Sequence, residues 1–372
     1  MERYLEKYIV KDLPKKIVLV SGPRQVGKTT LSKQIFDDYE YLSFDSEHDR
    51  RILIDLAWDK EKKLLIFDEL HKMKKWKQWL KGVYDTQECD QGILVTGSAR
   101  MDVYRKNGDS MAGRFFSFRL NPITVREVKN NKDIMDPLGR IMRVGGFPEP
   151  FFENDDLFVK RWRKTHLDTI LRQDLLDLER VRDIKSIEIL IDLLRMRVGS
   201  PVSYASLAGD LQVSIPTVKH WIQILENMYV IFSVTPYHRN IARSLLKEPK
   251  YYFYDVSAVE AGEGARFENL VAMELKSYLD FVEDTTGSRV ALHYLRDKEK
   301  REVDFITFID KEPERIIEVK LSDNNFAESL FHFSSFFKGK DVQVFQVVKD
   351  LKRKKQKGNI RLIDVESLAE IL

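Results

Sequence analysis

The sequence predicts an α/β protein in three parts: a parallel-sheet domain of nucleotide-binding size, a helical region carrying a winged helix-turn-helix, and a second, strand-rich α/β domain. Three observations predict it. Between Lys16 and about Phe118, short β-rich runs ("KIVLVSG", "YLSFD", "KLLIFDE", "GILVTGS", "RFFSFRL") alternate with helical stretches, the rhythm of a parallel sheet. Ser200 to Tyr237 reads as helix, turn, helix and β-hairpin. After Gly262 and Gly264, the helical pattern "ARFENLVAMELKSYL" leads into strand-rich sequence running to Leu372. Turn-like "VGGFPEP" closes the first part, so the expected domains are residues 1–150, a helical linker over 151–198, the winged helix over 199–258 and the last domain over 259–372.

Composition is that of an ordinary globular chain. Its 372 residues are 43% hydrophobic, enough to build cores in about two to four domains. One cysteine, Cys89, rules out an internal disulfide. Glu2, Arg3, Glu6 and Lys7 stand where a signal peptide needs an apolar run, and no stretch approaches the roughly 20 apolar residues of a membrane span, so a cytoplasmic location is expected. A net charge of +3 leans only weakly toward polyanions, and a nucleic-acid reading must rest on local features.

In the first domain, "SGPRQVGKTT" fits G-x-x-x-x-G-K-[ST], between the apolar strand "IVLVS" and the helical "TTLSKQIF". Gly22, Pro23, Arg24, Gln25, Val26, Gly27, Lys28, Thr29 and Thr30 are the candidate ATP-binding residues. Loop N–H groups surround a β-phosphate, Lys28 neutralises developing charge, and the Thr29 hydroxyl binds Mg²⁺. About forty residues on, "KLLIFDEL" is an apolar strand ending in two acids: Asp68 to hold Mg²⁺ and Glu69 to polarise the attacking water.

The strand "GILVTGSAR" then offers Ser98 and Thr96 as γ-phosphate sensors, or simply as hydroxyls capping a strand end. Arg100 and Arg114 are candidate arginine fingers, in cis or across a subunit boundary, with Arg114 the preferred of the two; a surface ion pair is the commoner role for a loop arginine. "HKMKKWKQWLKGVYD" interleaves lysines with Trp76 and Trp79. Trp76, Leu80 and Val83 fall on one helical face, which favours a core helix with a basic outer side over a nucleic-acid stacking platform.

These motifs, "SGPRQVGKTT", "LLIFDELHKMKKW", "ILVTGSAR", "MAGRFFSFRLNPIT" and "GGFPEP", followed by a winged helix, "RFENLVAMEL", "EVDFITF" and "IIEVKLS", resemble a large family of bacterial and archaeal AAA-type ATPases with a C-terminal domain of unknown function. The resemblance covers essentially the whole chain. It implies an AAA-type P-loop fold first and a restriction-endonuclease-like fold of the PD-(D/E)XK type last, and it gives Lys28, Thr29, Asp68 and Glu69 the ATPase roles above. It leaves the identity of any finger open, and with it the need for a homo-oligomer.

In the winged helix, Pro216 fits the first turn of the second helix, with Val218, Ile222 and Leu225 as the buried stripe. Thr217, Lys219, His220 and Gln223 form its expected outer face, with Glu226 working against a phosphate; DNA contact and a packing role both fit. In the last domain, Glu318 and Lys320 share one face of a strand, and Asp304 lies on the preceding strand, with Asp310 to Glu314 as the turn. Together with Glu268 on the helix before, they form a possible second metal site, Lys320 orienting a water or stabilising a pentacovalent phosphorane. A cross-strand ion pair is the competing reading. The run "KDLKRKKQKGN" is a candidate for DNA phosphate contacts, or a solvated turn. The resulting expectation is an ATP-dependent, DNA-associated switch; the alternatives are an ATP-gated metal-dependent nuclease and a signalling ATPase that binds proteins.

Overall fold

The computed structural model describes residues 1, 3–86, 91–97, 111, 113–129, 131–174, 183–238, 248–322 and 325–372. The chain divides into two compact units, Met1–Asn121 with Asn227–Tyr229, and Pro122–Glu226 with Val230–Leu372.

The first unit is built on five strands, β1 (Ile17–Ser21), β2 (Tyr39–Ser43), β3 (Leu64–Asp68), β4 (Gly92–Gly97) and β5 (Phe115–Arg119). All pairings are parallel, in the order β2-β3-β4-β1-β5. Every residue of β1, β3 and β4 is buried, which is why these strands read as unbroken apolar runs. The helices are α1 (Glu6–Asp12), α2 (Lys28–Gln34), α3 (Glu47–Asp55) and α4 (Trp76–Asp85). On α4, Trp76, Leu80 and Val83 are buried as their spacing predicts, and they pack with Phe67 and Val95 in the core. Trp79 meets Phe67 edge-on at 5.6 Å.

The second unit begins with short helices α5 (Val125–Val128), α6 (Pro137–Val144), α7 (Pro148–Glu153) and the longer α8 (Asp156–Thr169). Residues 122–150, assigned from sequence to the first domain, therefore pack in this unit. Then come α9 (Ile184–Arg195), α10 (Tyr204–Leu211) and α11 (Ile215–Asn227), followed by an antiparallel pair, β6 (Ile231–Pro236) and β7 (Lys250–Phe253). Val218, Ile222 and Leu225 are buried, whereas Lys219, His220 and Gln223 face solvent.

The long α12 (Glu263–Thr286) precedes β8 (Val290–Arg296), β9 (Glu302–Ile309) and β10 (Glu312–Ser322), then α13 (Glu328–Ser334), β11 (Gln343–Asp350), β12 (Lys355–Lys357), β13 (Ile360–Ile363) and α14 (Val365–Ile371). β8, β9 and β10 form an antiparallel meander, and β10, β11 and β13 run parallel. One eight-stranded sheet runs β12-β13-β11-β10-β9-β8-β6-β7. It passes straight through the expected 258/259 boundary, because β6 pairs parallel with β8 through Thr235–His293 and Pro236–Tyr294.

Two details differ from expectation. The β9–β10 turn is only Asp310 and Lys311, both left-handed (φ 50° and 71°), the geometry that suits the twist of a two-residue hairpin. Pro313 lies inside β10, where a register shift before Arg315 accommodates its missing N–H. Second, β10 is central rather than half-buried: Arg315 to Val319 are all buried between β9 and β11. On α12, the carboxylate of Glu274 is buried and accepts from the Val125 N–H at 2.7 Å, anchoring the start of α5. Burial, the largest effect, outweighs its backbone donors and pushes it up to about 7.

Candidate functional site

The glycine loop leaves the C-terminal end of β1 and enters α2. Gly22 has φ +149°, and a Cβ there would lie 2.2 Å from the Leu120 carbonyl oxygen, so no side chain fits. Gly27, at φ 98°, caps α2 in the left-handed conformation, and Gln25 within the loop also has a positive φ, 61°. The buried Lys28 ammonium donates to the carbonyls of Gly22 (2.9 Å) and Pro23 (2.7 Å), which parks it across the loop. Arg3, which drew no attention in the sequence, is buried and donates to the Val26 carbonyl at 3.2 Å and the Asn121 carbonyl at 2.5 Å. It braces the loop from behind.

Asp68 ends β3 at the same edge of the sheet, because β3, β4 and β1 are parallel and in step: Asp68 is level with Thr96, and Thr96 with Val20. Its Oδ2 accepts from the Tyr41 hydroxyl (2.6 Å) and from Thr29 Oγ1 (2.9 Å). Its Oδ1 accepts from the Glu69 N–H (3.0 Å) and the Thr96 hydroxyl. Burial works to raise the Asp68 pKa, but hydrogen bonds from Thr96, Tyr41 and Thr29 together with the Lys28 charge outweigh it and hold the carboxyl below its ordinary value. Thr96 thus fixes Asp68 and has no exposure with which to sense a phosphate. Ser98 and Arg100 lie outside the described residues, as does Cys89.

Glu69 follows in a left-handed conformation (φ 53°, ψ 27°), a strained geometry for a non-glycine residue and one that clusters at functional sites. Its Oε2 is 3.6 Å from His71 Nε2 and 3.9 Å from Lys72 Nζ. His71 is pushed down to about 4, chiefly by burial and then by the charges of Lys72 and Lys28, so it is neutral at pH 7. An ionised carboxylate beside the hydroxyl of the loop threonine, with a buried ammonium in the loop, is the donor set that Mg-ATP requires, and these residues fit it.

Arg114 does not join them. It immediately precedes β5, whose first residue is level with Ile17, the first residue of β1, so Arg114 sits at the opposite edge of the parallel sheet from the glycine loop. Four residues of strand separate the two edges, about 13 Å. Its guanidinium forms a two-bond pair with Asp85 (Nε–Oδ1 2.7 Å, Nη2–Oδ2 3.1 Å). A finger acting on its own subunit's nucleotide is therefore ruled out by register, and the ion-pair reading accounts for Arg114.

In the second unit the structure does gather Glu268, Asp304, Glu318 and Lys320, around a residue that sequence reasoning missed. Lys250, the first residue of β7, is fully buried. Its Nζ lies 2.7 Å from Glu302, 3.4 Å from Glu268 and 3.6 Å from Asp304. Burial favours its neutral form, but Glu268, Asp304 and Glu302 override that and raise its pKa. Glu268 Oε1 also accepts from the Tyr252 hydroxyl at 2.6 Å. Asp304 Oδ2 accepts from the Val319 N–H at 2.8 Å, and Lys320 pairs with Glu318 at 2.6 Å. Glu268 and Glu318 are each pushed up to about 7, first by burial and then by Asp304. Among the described residues, no group of three His, Cys, Asp or Glu side chains is arranged to hold a metal ion. The expected metal ligands are neighbours, and Lys250 lies among them. The missed signal is the lysine of "EPKYYFYD", at the head of an apolar run.

A glycine loop with its lysine and threonine, facing an acid pair across parallel strands, defines a P-loop nucleotide-binding domain. A family model described as an AAA domain matches residues 14–129, which contain the loop, the acids and all five strands. Two models of domains of unknown function match the rest, DUF8612 at residues 135–266 and DUF4143 at 263–368. Similar full-length proteins include an uncharacterized protein of Mycobacterium tuberculosis, 27% identical over 309 residues, covering 80% of this chain and 68% of that protein. Another is an uncharacterized protein of Methanocaldococcus jannaschii, 25% identical over 340 residues, covering 80% of this chain and 74% of that one. Among solved structures, a signal transduction ATPase with numerous domains and a tetratricopeptide repeat sensor, from Pyrococcus horikoshii, aligns at 12% identity and TM-score 0.23 over 76% of this chain. The alignment spans about half of that protein, 47%. No helix among the described residues is long and apolar enough to cross a membrane.

Proposed function

We propose that the protein is an ATP-hydrolysing switch associated with DNA. The observation that carries the ATPase part is Asp68, held ionised beside Thr29 by Thr96 and Tyr41 at the mouth of the glycine loop. Lys28 exchanges its two loop carbonyls for the β- and γ-phosphate oxygens. Thr29 and Asp68 would hold Mg²⁺, which when bound would supply charge neutralisation at the phosphates. Glu69, displaced from Asp68 by its left-handed backbone and flanked by neutral His71, orients the attacking water. Ser98 is the proposed γ-phosphate sensor. Purified protein with Mg-ATP should release phosphate, and Lys28→Ala should abolish turnover; full activity in that variant overturns the reading.

For the remainder we propose a winged helix formed by α9, α10, α11 and the β6–β7 pair, and a nuclease-like module over 259–372 that holds duplex rather than cutting it. In support, α11 presents Lys219, His220 and Gln223 outward, and Lys355–Lys357 of β12 is exposed along the sheet edge. The ATP-gated nuclease reading would require Glu268, Asp304 and Glu318 to share a divalent ion, in a cluster where the Lys250 ammonium already lies against Glu268 and Asp304. DNA binding that weakens steeply with salt and responds to nucleotide supports the proposal. No binding at low salt, with nucleotide-dependent capture of a protein instead, would replace DNA by a protein partner.

A further inference from the structure

We propose that Lys250 is the resident cation of the carboxylate cluster in the second unit, occupying the position between Glu268, Glu302 and Asp304 that a divalent ion would need and thereby closing the site to metal. Four acids converge there from α12, β9 and β10, a density of like charge that a buried site tolerates only with a counter-ion. Asp304 lies one step beyond the Ile317–Phe305 pair and so opposite Glu318, a like-charge juxtaposition that is unfavourable without one. The counter-ion is supplied from within the chain. Lys250 contacts three of the four acids at 2.7 to 3.6 Å, and Lys320 takes the fourth, Glu318.

Oxygens of Glu268 and Asp304 are already engaged by other groups of the chain. Glu268 Oε1 is shared between Lys250 and the Tyr252 hydroxyl. Its Oε2 lies against Gly199, where a Cβ would come within 2.8 Å. One Asp304 oxygen is committed to the Val319 N–H. The exception is Glu318 Oε2, which is buried without a hydrogen-bond partner on a residue only 5% exposed. Such an acceptor marks where a second cation would bind once the first is gone. The cluster is therefore a latent divalent-cation site, masked by one side chain.

The test uses full-length protein without nucleotide, titrated with Mn²⁺ and followed by electron paramagnetic resonance. Wild type and Asp304→Asn should bind the same number of ions. Lys250→Met, which keeps the apolar stem and removes the charge, should bind one more per chain, and Lys250→Met with Asp304→Asn should lose it. Wild type binding one ion more than Asp304→Asn overturns the proposal, as does a folded Lys250→Met that gains none. If Lys250→Met does not fold, the comparison of wild type with Asp304→Asn decides alone, equal binding supporting the proposal and an ion lost in Asp304→Asn overturning it.

Discussion

Replacing Glu274 by glutamine should change how stability depends on pH, by an amount that follows from its position. The carboxyl is buried in α12 and its pKa is raised from 4.5 to about 7, mainly by burial. Below pH 4.5 folded and unfolded chains both hold the proton, and this residue costs nothing. Between 4.5 and about 7 the unfolded chain loses the proton while the folded one keeps it, so stability falls as pH rises, at about 1.4 kcal/mol per pH unit. Above about 7 the accumulated loss is about 3 kcal/mol. Glu274→Gln cannot titrate and escapes this loss. Its amide meets the Val125 N–H differently, which adds a constant offset at every pH but leaves the pH-dependent difference intact. Urea denaturation followed by circular dichroism, with hydrogen exchange of the α12 amides, measures both proteins across this range. The variant should gain about 3 kcal/mol on wild type between the acid and alkaline ends. Parallel stability curves for the two proteins would show that Glu274 is not buried as a raised carboxyl.

Three further outcomes are expected. Thr96→Val removes a buried donor from the ionised Asp68 at nearly constant volume; a charged hydrogen bond of about 1.5–3 kcal/mol corresponds to a fall in ATP turnover of roughly ten- to a hundredfold, with Thr96→Ser near wild type. Equal turnover in the two variants would remove Thr96 from the site. Gly22→Ala places a methyl 2.2 Å from the Leu120 carbonyl and should cost at least about 3 kcal/mol, seen as loss of nucleotide binding in a fluorescent-ATP titration; unchanged affinity would contradict the loop geometry. Arg114→Ala should leave turnover within about twofold of wild type, because its guanidinium is engaged by Asp85; a fall of about a thousandfold would reveal a finger acting on a neighbouring subunit.

What could be read from sequence was what is local. The loop from Gly22 to Thr29 is contiguous and its conformation depends on its own glycines, and β1, β3 and β4 announce themselves because strands buried on both faces cannot carry polar residues. The α4 face was legible because helical spacing alone decides it. Contacts made across long separations were not legible. Tyr41 reaches Asp68 from 27 residues away, and nothing in "YLSFD" marks its tyrosine as the partner of an acid on the neighbouring strand. Arg114 looked like a finger because sequence shows proximity along the chain but not the strand register that puts it at the wrong edge. Lys250 carried no signal of its own; its pairing depends on acids 18, 52 and 54 residues further on. The short β6–β8 pairing was not legible for the same reason: two residue pairs bridging 58 positions leave no compositional trace.

That pairing decides how the protein can be cut into pieces. A chain ending at residue 258 would keep the helices and the β6–β7 pair but would lose β8, so the backbone of Thr235 and Pro236 would face water with open hydrogen-bonding groups, and the Tyr294 carbonyl that receives the Tyr237 N–H at 2.7 Å would be gone. Lys250 would at the same time lose all three of its carboxylates. The complementary piece, 259–372, would keep those acids without their cation and expose the outer edge of β8. Unpaired edges of this kind recruit other chains, so both fragments should aggregate where the whole second unit does not.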